Sequence, residues 1–376
     1  MDHSPDSTGL TLPTNGVKTT FMLTVSDTKR NFDDAVAYVS RFLRTRPSMN
    51  RNGVRLILGT FFLLIIGGIW HLNHGSYFSP AIANVPLERN YYFWAKRGPP
   101  GSLRQRLAEF VWYYPSERWR RNIVQSWHTR LDETDIYQSW EEHKHDFNHI
   151  FYLDSDQETC VRNLTSHNLH DIEYAYFRLF NKVIVRADFF RYFVIWALGG
   201  IWADADTWLV RPFDEWLSMA SDSSESMAKL ESKVGMIVGI EYEHSQTLVQ
   251  YVFAAKQGHP VLLELIASIV EKGPEIARGI DKNEFKIGEI LSTTGPNRFT
   301  QVVQLWIKKR WDANFDARNS WNNLRSPKLF GDILVLPQWG FGGNNPYHPD
   351  HHQDKPGSHD SRTCVAHEYK NSWSGS

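Results

Sequence analysis

Residues 187–206 constrain the fold of this chain more than any other segment. The stretch 189–198 is apolar on almost every side, which predicts a helix that is buried all round. Gly199 and Gly200 can adopt positive φ and so end that helix, after which residues 201–203 restart as a buried strand. The segment therefore predicts a helix and a strand in the interior of a large globular domain.

Asp204 and Asp206 follow this strand and are the first candidates for chemistry. In extended backbone, residues two apart point to the same side, so the two carboxylates can converge on a hard divalent cation. Such a cation neutralises a nucleoside diphosphate as its bond to a sugar breaks. The alternative is a pair of ordinary turn residues, because a bare Asp-x-Asp is frequent by chance. The preceding helix, Gly-Gly turn and strand favour the metal site.

Asp188 and Arg191 are the charged residues of the apolar helix, and they share a face because they lie three residues apart. Asp188 could accept hydrogen bonds from ribose hydroxyls or from a base, and Arg191 could position a phosphate or a donor hydroxyl. The alternative is that Asp188 caps the helix and pairs with Arg191. The predicted catalytic set is Asp204, Asp206 and Arg191.

Short apolar runs alternate with helix-like stretches in the rest of the chain. Strands are predicted at 121–127, 149–153, 201–203 and 235–240. Helices are predicted near 168–181, 187–198, 247–257 and 259–272. This alternation indicates an α/β domain, with a mainly parallel sheet between helices, whose ligands bind at the carboxyl ends of the strands.

Composition and charge exclude several classes of protein. Hydrophobic residues make up 41% of the chain and aromatic residues 14%, which is enough for a substantial core. The formal net charge of -1 gives no field that would attract nucleic acid, so no nucleic-acid partner is expected. The two cysteines, Cys160 and Cys364, are too few for a disulfide scaffold but could form one bridge in an oxidising lumen.

The N-terminal part of the chain has the character of a membrane anchor. Residues 56–72 have His71 as their only titratable side chain, and roughly 17–20 apolar residues suffice to cross a thin bilayer. Arginines cluster before this stretch, and the first Lys or Arg after it is Arg89, which places the N-terminus in the cytosol. A buried core helix is the alternative. The predicted regions are a cytosolic tail at 1–52, a transmembrane anchor at 53–72, a stem at 73–105 and a luminal domain at 106–376.

Residues 188–206 resemble the hallmark of family thirty-two glycosyltransferases. That hallmark is an Asp-x-x-Arg helix, a Leu-Gly-Gly turn and an aromatic-x-Asp-x-Asp strand end. The matching residues are Asp188, Arg191, Leu198, Gly199, Gly200, Trp202, Asp204 and Asp206. Further landmarks similar to those of the family are Gln125-Ser126-Trp127, Thr294-Gly295-Pro296, His367 and Asn371-Ser372-Trp373. Val124 stands where the family has His, and Asn371 where it has Gly. The landmarks span about residues 120–376.

This resemblance implies that the luminal domain is a catalytic domain of the Rossmann-like GT-A fold. It also implies a metal-dependent reaction that retains the anomeric configuration of the donor. The metal, Mn²⁺ or another divalent cation, would be held by Asp204, Asp206 and His367. A surface position in a His-rich tail is the alternative for His367.

The nucleotide-sugar donor would contact residues from both ends of the domain. They are Gln125, Trp127, Asp188, Arg191 and Trp373. Trp127 would lie near the base and Trp373 over the diphosphate. Core packing is the alternative for both tryptophans.

Within the family, the chain looks most like the fungal initiation-specific α-1,6-mannosyltransferases of the Golgi. That likeness implies GDP-mannose as donor, an N-glycan acceptor and a single-pass type II Golgi membrane protein. A complex of transferases is a further candidate partner. Relatives that use UDP-galactose or glycosylate inositol phosphoceramide share the core motif. The alternative from another class is a catalytically silent subunit that binds glycans or holds a partner transferase. In the luminal topology, the sequon at Asn163 would be accessible to glycosylation.

Overall fold

A computed structural model describes residues 101–131, 134–166, 168–221, 225–241, 246–321, 324–341 and 362–368. The predicted cytosolic tail and anchor, most of the stem, and Trp373 lie outside these residues. Among the described residues, no helix combines the length and the apolar character needed to cross a membrane.

The core of the domain is a mixed sheet of seven strands. They are β1 (Asn122–Ser126), β2 (Asn148–Tyr152), β3 (Gly200–Ala203), β5 (Met236–Gly239), β6 (Val252–Ala255), β7 (Lys328–Phe330) and β8 (Ile333–Leu336). Their order across the sheet is β2-β1-β3-β6-β5-β8-β7. Parallel pairs join β1 to β2, β1 to β3 and β5 to β8, whereas β6 and β7 run antiparallel to their neighbours. All strands except β6 and β7 therefore share one direction, as the mainly parallel prediction required.

Two shorter strands, β4 (Thr207–Leu209) and β9 (Val365–His367), pair antiparallel in a separate sheet. The helices before the sheet's third strand are α1 (Leu103–Phe110), α2 (Asp135–His143), α3 (Asp154–Thr165), α4 (His170–Tyr174) and α5 (Val183–Leu198). One π-helical turn, Ala175–Leu179, separates α4 from α5. The later helices are α6 (Phe213–Ser218), α7 (Met227–Lys233), α8 (Pro260–Glu271), α9 (Gly273–Asp281), α10 (Ile287–Thr293), α11 (Pro296–Arg310), α12 (Ala317–Ser320) and α13 (Gln338–Phe341).

Hydrophobic cores cover both faces of the sheet, as a strand buried on two sides requires. Along β3, Trp202 belongs to one core, while Ile201 and Ala203 belong to the other. The larger core contains α5, whose residues from Asp188 to Ala197 are all buried. The helix predicted to be buried all round is confirmed, and it lies directly before the central strand β3.

The predicted strands at 121–127, 149–153, 201–203 and 235–240 are present with small shifts at their ends, as are the helices near 168–181, 187–198 and 259–272. The helix predicted at 247–257 is wrong, because β6 (Val252–Ala255) occupies that stretch between β3 and β5. Every residue of β6 is buried. A short run buried on both faces carries no periodicity that would separate a strand from a buried helix.

The two cysteines and the sequon also have definite positions. Cys160 and Cys364 are both free thiols, so the bridge between them is not formed in this structure. Asn163 is exposed in the last turns of α3, while Thr165 is buried and donates a hydrogen bond from its hydroxyl to the Val161 carbonyl.

The turn between α5 and β3 depends on two glycines with positive φ, 69° at Gly199 and 116° at Gly200. A Cβ on Gly200 would lie 2.2 Å from the carbonyl oxygen of Asn122, at the edge of β1. The turn is therefore tight both in backbone conformation and in the space left beside the neighbouring strand.

We expect Gly200→Ala to lower the free energy of unfolding by more than about 2 kcal/mol, because it combines a disfavoured φ with a backbone collision. Urea unfolding of the purified protein measures this. Gly288→Ala is the matched control, since an added Cβ there meets nothing within 4 Å and the site is helical. Equal stability of the two variants would contradict the account of this turn.

Candidate functional site

A cavity of about 190 Å³ opens at the carboxyl ends of β1, β3 and β5. Trp127, which follows β1, lines it, as does Asp204, which follows β3. Asp188, Arg191, Asp206 and His367 line the same cavity. The structure therefore brings together every predicted site residue that it describes except Gln125.

Asp204, Asp206 and His367 bring three potential metal-ligand side chains together in the cavity. One side-chain donor atom from each lies within 4.8 Å of the other two. Pairing of β4 with β9 brings His367 opposite Thr207, and the His367 Nε2 lies 3.1 Å from Asp206 Oδ1. Two carboxylates and an imidazole are a donor set suited to a divalent transition metal such as Mn²⁺ or Zn²⁺. The predicted ligand set thus has a geometry that could hold one divalent ion.

The backbone of Asp204 is fixed from two sides. Its N–H donates to the Tyr251 carbonyl at 2.7 Å, which joins the end of β3 to the start of β6. Its carbonyl accepts from the Thr207 N–H at 3.1 Å, which closes the turn toward β4. The ring of Tyr251 stacks on the imidazole of His367, with centroids 4.1 Å apart and planes at 6°. Tyr251 therefore supports both Asp204 and His367.

Gln125 is only 1% exposed and is not among the residues that line the cavity. Its amide nitrogen donates to the Asp204 carbonyl at 3.4 Å, and its amide oxygen lies 2.9 Å from His149 Nε2. The other ring nitrogen of His149 lies 2.6 Å from a carboxylate oxygen of Glu141. In this structure Gln125 therefore supports the backbone of Asp204, while Trp127 remains the residue of this pair that faces the cavity.

Arg191 extends from α5 toward the predicted metal ligands. Its Nη2 lies 3.3 Å from Asp188 Oδ1 and 3.6 Å from Asp204 Oδ1. Trp202 donates from its indole N–H to the same oxygen of Asp204 at 2.7 Å, and its ring lies 5.7 Å from the guanidinium. Burial opposes the charge of Arg191, but Asp204 and Asp188 more than offset it, so the pKa of Arg191 is raised. The guanidinium therefore stays positive beside the cavity.

Asp188 is 1% exposed, and the protein satisfies both of its carboxylate oxygens. Gln250 donates to Oδ1 at 3.0 Å, and the Thr294 hydroxyl donates to Oδ2 at 2.9 Å. The Tyr192 hydroxyl lies within hydrogen-bonding distance of the Gln250 side-chain oxygen and of the Thr294 carbonyl oxygen, and it donates its single proton to one of them. Burial raises the pKa of Asp188 to about 6, although Arg191 and the two hydrogen bonds lower it. Asp188 holds Arg191 in this structure, and its contact with a nucleotide stays a prediction.

Sequence reasoning missed the part of the site that comes from the segment before β6 and from the end of β5. Gln250 and Tyr251 fall within the stretch wrongly predicted as a helix, and Glu241 had no motif around it. Burial raises the pKa of Glu241, and His367 lowers it. A strand prediction for 252–255 would have placed Gln250 and Tyr251 at a sheet end, next to Asp204.

Comparison with known proteins adds to this geometry. Residues 131–222 match the family model described as "Glycosyltransferase sugar-binding region containing DXD motif". The initiation-specific alpha-1,6-mannosyltransferase of Candida albicans is 30% identical over 309 residues, which cover 72% of this chain and 76% of that protein. A protein of the same name from Schizosaccharomyces pombe is 28% identical over 204 residues, covering 50% of this chain and 47% of that protein. The solved structure of the PaToxG glycosyltransferase is 16% identical, covers 61% of this chain and 90% of its own, and superposes with a TM-score of 0.34.

We expect Thr294→Val to cost about 1–3 kcal/mol of stability near pH 8, because it leaves Oδ2 of the buried Asp188 carboxylate without its donor. This hydrogen bond lowers the pKa of Asp188, so its contribution is present above that pKa and is lost as the pH falls through about 6. Urea unfolding at several pH values measures the difference between variant and wild type. Thr159→Val, at an exposed position on α3, is the control. A loss that does not shrink toward low pH would contradict the role given to this bond.

Proposed function

This chain belongs to the family of glycosyltransferases that contain the DXD sugar-binding region, and we propose that it transfers mannose from GDP-mannose to a mannose-containing N-glycan. The observation that supports this most is the meeting of Asp204, Asp206 and His367 in one cavity with Arg191. The names of the relatives support mannose as the transferred sugar and an α-1,6 linkage as the product.

The residues of the cavity divide into two roles under this proposal. Asp204, Asp206 and His367 would hold a divalent cation, which when bound neutralises the departing nucleoside diphosphate. Arg191 adds a fixed positive charge on the helix side, where Asp188 and Asp204 orient its guanidinium. A charge that is already in place needs no reorganisation as the leaving group develops its own charge.

The proposal also gives the proton of the acceptor hydroxyl a destination. The acceptor hydroxyl must lose a proton when its oxygen bonds to the anomeric carbon, and the departing diphosphate is a base at the reaction centre. We assign the proton to the diphosphate, with retention of configuration as in the family resemblance. Trapping of a covalent mannosyl group on a carboxylate of the protein would overturn this assignment.

The cellular setting belongs to the same proposal. The cluster of arginines before the apolar stretch 56–72 supports a single-pass type II anchor with the catalytic domain, of GT-A type, in the lumen of the Golgi. Trp373, outside the described residues, is proposed to cover the diphosphate.

The metal site predicts a specific stabilisation. Mn²⁺ at about a hundred times its Kd should raise the free energy of unfolding by about 2.7 kcal/mol, because it binds the folded state alone. Asp206→Asn and His367→Ala should each remove most of this gain, whereas Asp281→Asn, at an exposed position on α9, should keep it. Thermal unfolding with and without Mn²⁺ measures the effect. An unchanged Mn²⁺ response in Asp206→Asn would contradict the ligand set.

The reaction is tested by offering the full-length protein, in detergent, GDP-mannose, UDP-galactose or UDP-glucose with Mn²⁺. The acceptors are a high-mannose N-glycan and inositol phosphoceramide. We expect mannose transfer to the N-glycan, reduced by about a hundredfold or more in Asp206→Ala.

Each other outcome has a definite meaning. Transfer from a UDP-sugar, or to the sphingolipid alone, would replace the donor or acceptor named here. Normal Mn²⁺ binding without transfer from any donor would favour a silent glycan-binding or scaffold subunit.

A further inference from the structure

Glu241 is the carboxylate of the cavity that the proposed reaction does not use. It follows β5 and lines the same cavity as Asp204, Asp206 and His367. Its backbone is fixed, because its N–H donates to the Thr247 carbonyl at 3.0 Å. Glu241 is not in the group of ligand atoms that lie within 4.8 Å of one another. It is thus a separate polar group of the same site.

Glu241 differs from Asp188 and Asp204 in the partners of its carboxylate. Asp188 accepts hydrogen bonds from two side chains. Asp188 and Asp204 both form ion pairs with Arg191. Within the part of the chain that the structure describes, the Glu241 carboxylate accepts no hydrogen bond. An ionised carboxylate only accepts hydrogen bonds, so its ligand is a hydrogen-bond donor, and the hydroxyl groups of a sugar are donors of this kind. A diphosphate, which is itself an anion, would be repelled.

The strand order gives the direction in which this ligand lies. From β1, with Trp127 at its end, the sheet continues through β3, with Asp204, and β6 to β5, with Glu241. Glu241 therefore lies on the opposite side of Asp204 from Trp127. Two strand spacings separate β3 from β5, which is about 10 Å. That separation places Glu241 apart from the strand end that carries Asp204, on the side of the cavity away from Trp127.

We propose that Glu241 binds the hydroxyl groups of the acceptor sugar and so orients it against the transferred sugar. This inference rests on the proposed function, because it takes the nucleotide to lie on the β1 side of the cavity. It gives the acceptor site a chemical preference. An uncharged sugar with free hydroxyls is accepted, and a sugar that carries a phosphate on a hydroxyl facing Glu241 is repelled. No covalent step is assigned to Glu241, and the reaction keeps its proton transfer to the diphosphate.

The test measures KM for the high-mannose N-glycan and for GDP-mannose in Glu241→Ala and Glu241→Gln of the full-length protein. We expect the glycan KM to rise by about tenfold or more in Glu241→Ala and by less in Glu241→Gln, which keeps an acceptor oxygen. The KM for GDP-mannose and the affinity for GDP with Mn²⁺ should change by less than about twofold. Glu289→Gln is the matched control, because Glu289 is an exposed residue of α10, a helix that lines the same cavity through other residues.

Charge provides a readout that a purely structural role would not move. At least one of mannose 2-phosphate, 3-phosphate and 4-phosphate, in which O6 stays free as the reacting hydroxyl, should inhibit the Glu241→Gln variant at least several-fold more strongly than the wild type, while mannose should not. A Glu241→Ala variant that raises only the KM for GDP-mannose, or that leaves both KM values unchanged, overturns the proposal.

Failure of the proposed function gives a different result from failure of this inference. If the wild type transfers no mannose from GDP-mannose, the KM comparison is made with the donor that supports transfer. If no donor does, binding of the N-glycan to the complex with GDP and Mn²⁺ is measured by saturation-transfer NMR. Equal glycan binding by wild type and Glu241→Ala then overturns the role of Glu241, whereas loss in the variant supports it.

Discussion

The site depends on the ion pairs that the guanidinium of Arg191 forms with Asp188 and Asp204. The guanidinium joins the buried helix α5 to Asp204 at the end of β3, so this predicted metal ligand and the helix cannot move independently. Gln250 and Thr294 bring two further segments to the same charge pair through Asp188. Asp188, Arg191 and Thr294 are buried, where an unpaired charge would cost several kcal/mol. The arrangement is therefore fixed before any ligand binds.

The sheet turns this local pairing into a reaction site by placing three strand ends at one edge. β3 lies next to β1 on one side and β6 on the other, and Gly200 permits the close approach to β1. The separate pairing of β4 with β9 then adds His367 from the far end of the described chain. Because Tyr251 contacts both Asp204 and His367, the start of β6 couples the two sheets at the site.

The parts of the site that sequence alone could predict are those encoded within one short segment. The buried helix, the Gly-Gly turn, the strand and the two aspartates lie within residues 187–206, so their spacing fixes their relative positions. His367 lies 161 residues from Asp206, and only the family resemblance pointed to it. Gln250, Tyr251 and Glu241 depend on the position of β6 in the sheet. Since β6 is buried on both faces, its sequence carries no period that distinguishes it from a helix, and the error there hid the residues beside it.

The energetic cost of the buried charges is itself an argument for function. Asp188 is 1% exposed and Arg191 6% exposed, in a helix whose other buried residues are apolar or aromatic. Replacing a buried ion pair by apolar residues of similar volume is often neutral or stabilising by about 1–4 kcal/mol. Stability alone therefore gives no reason for charges at these positions. Both residues line the cavity, and their side chains hold a positive charge beside Asp204, where an anionic leaving group would have to be stabilised. The cost in stability is explained by the charge that the site must present to its ligand.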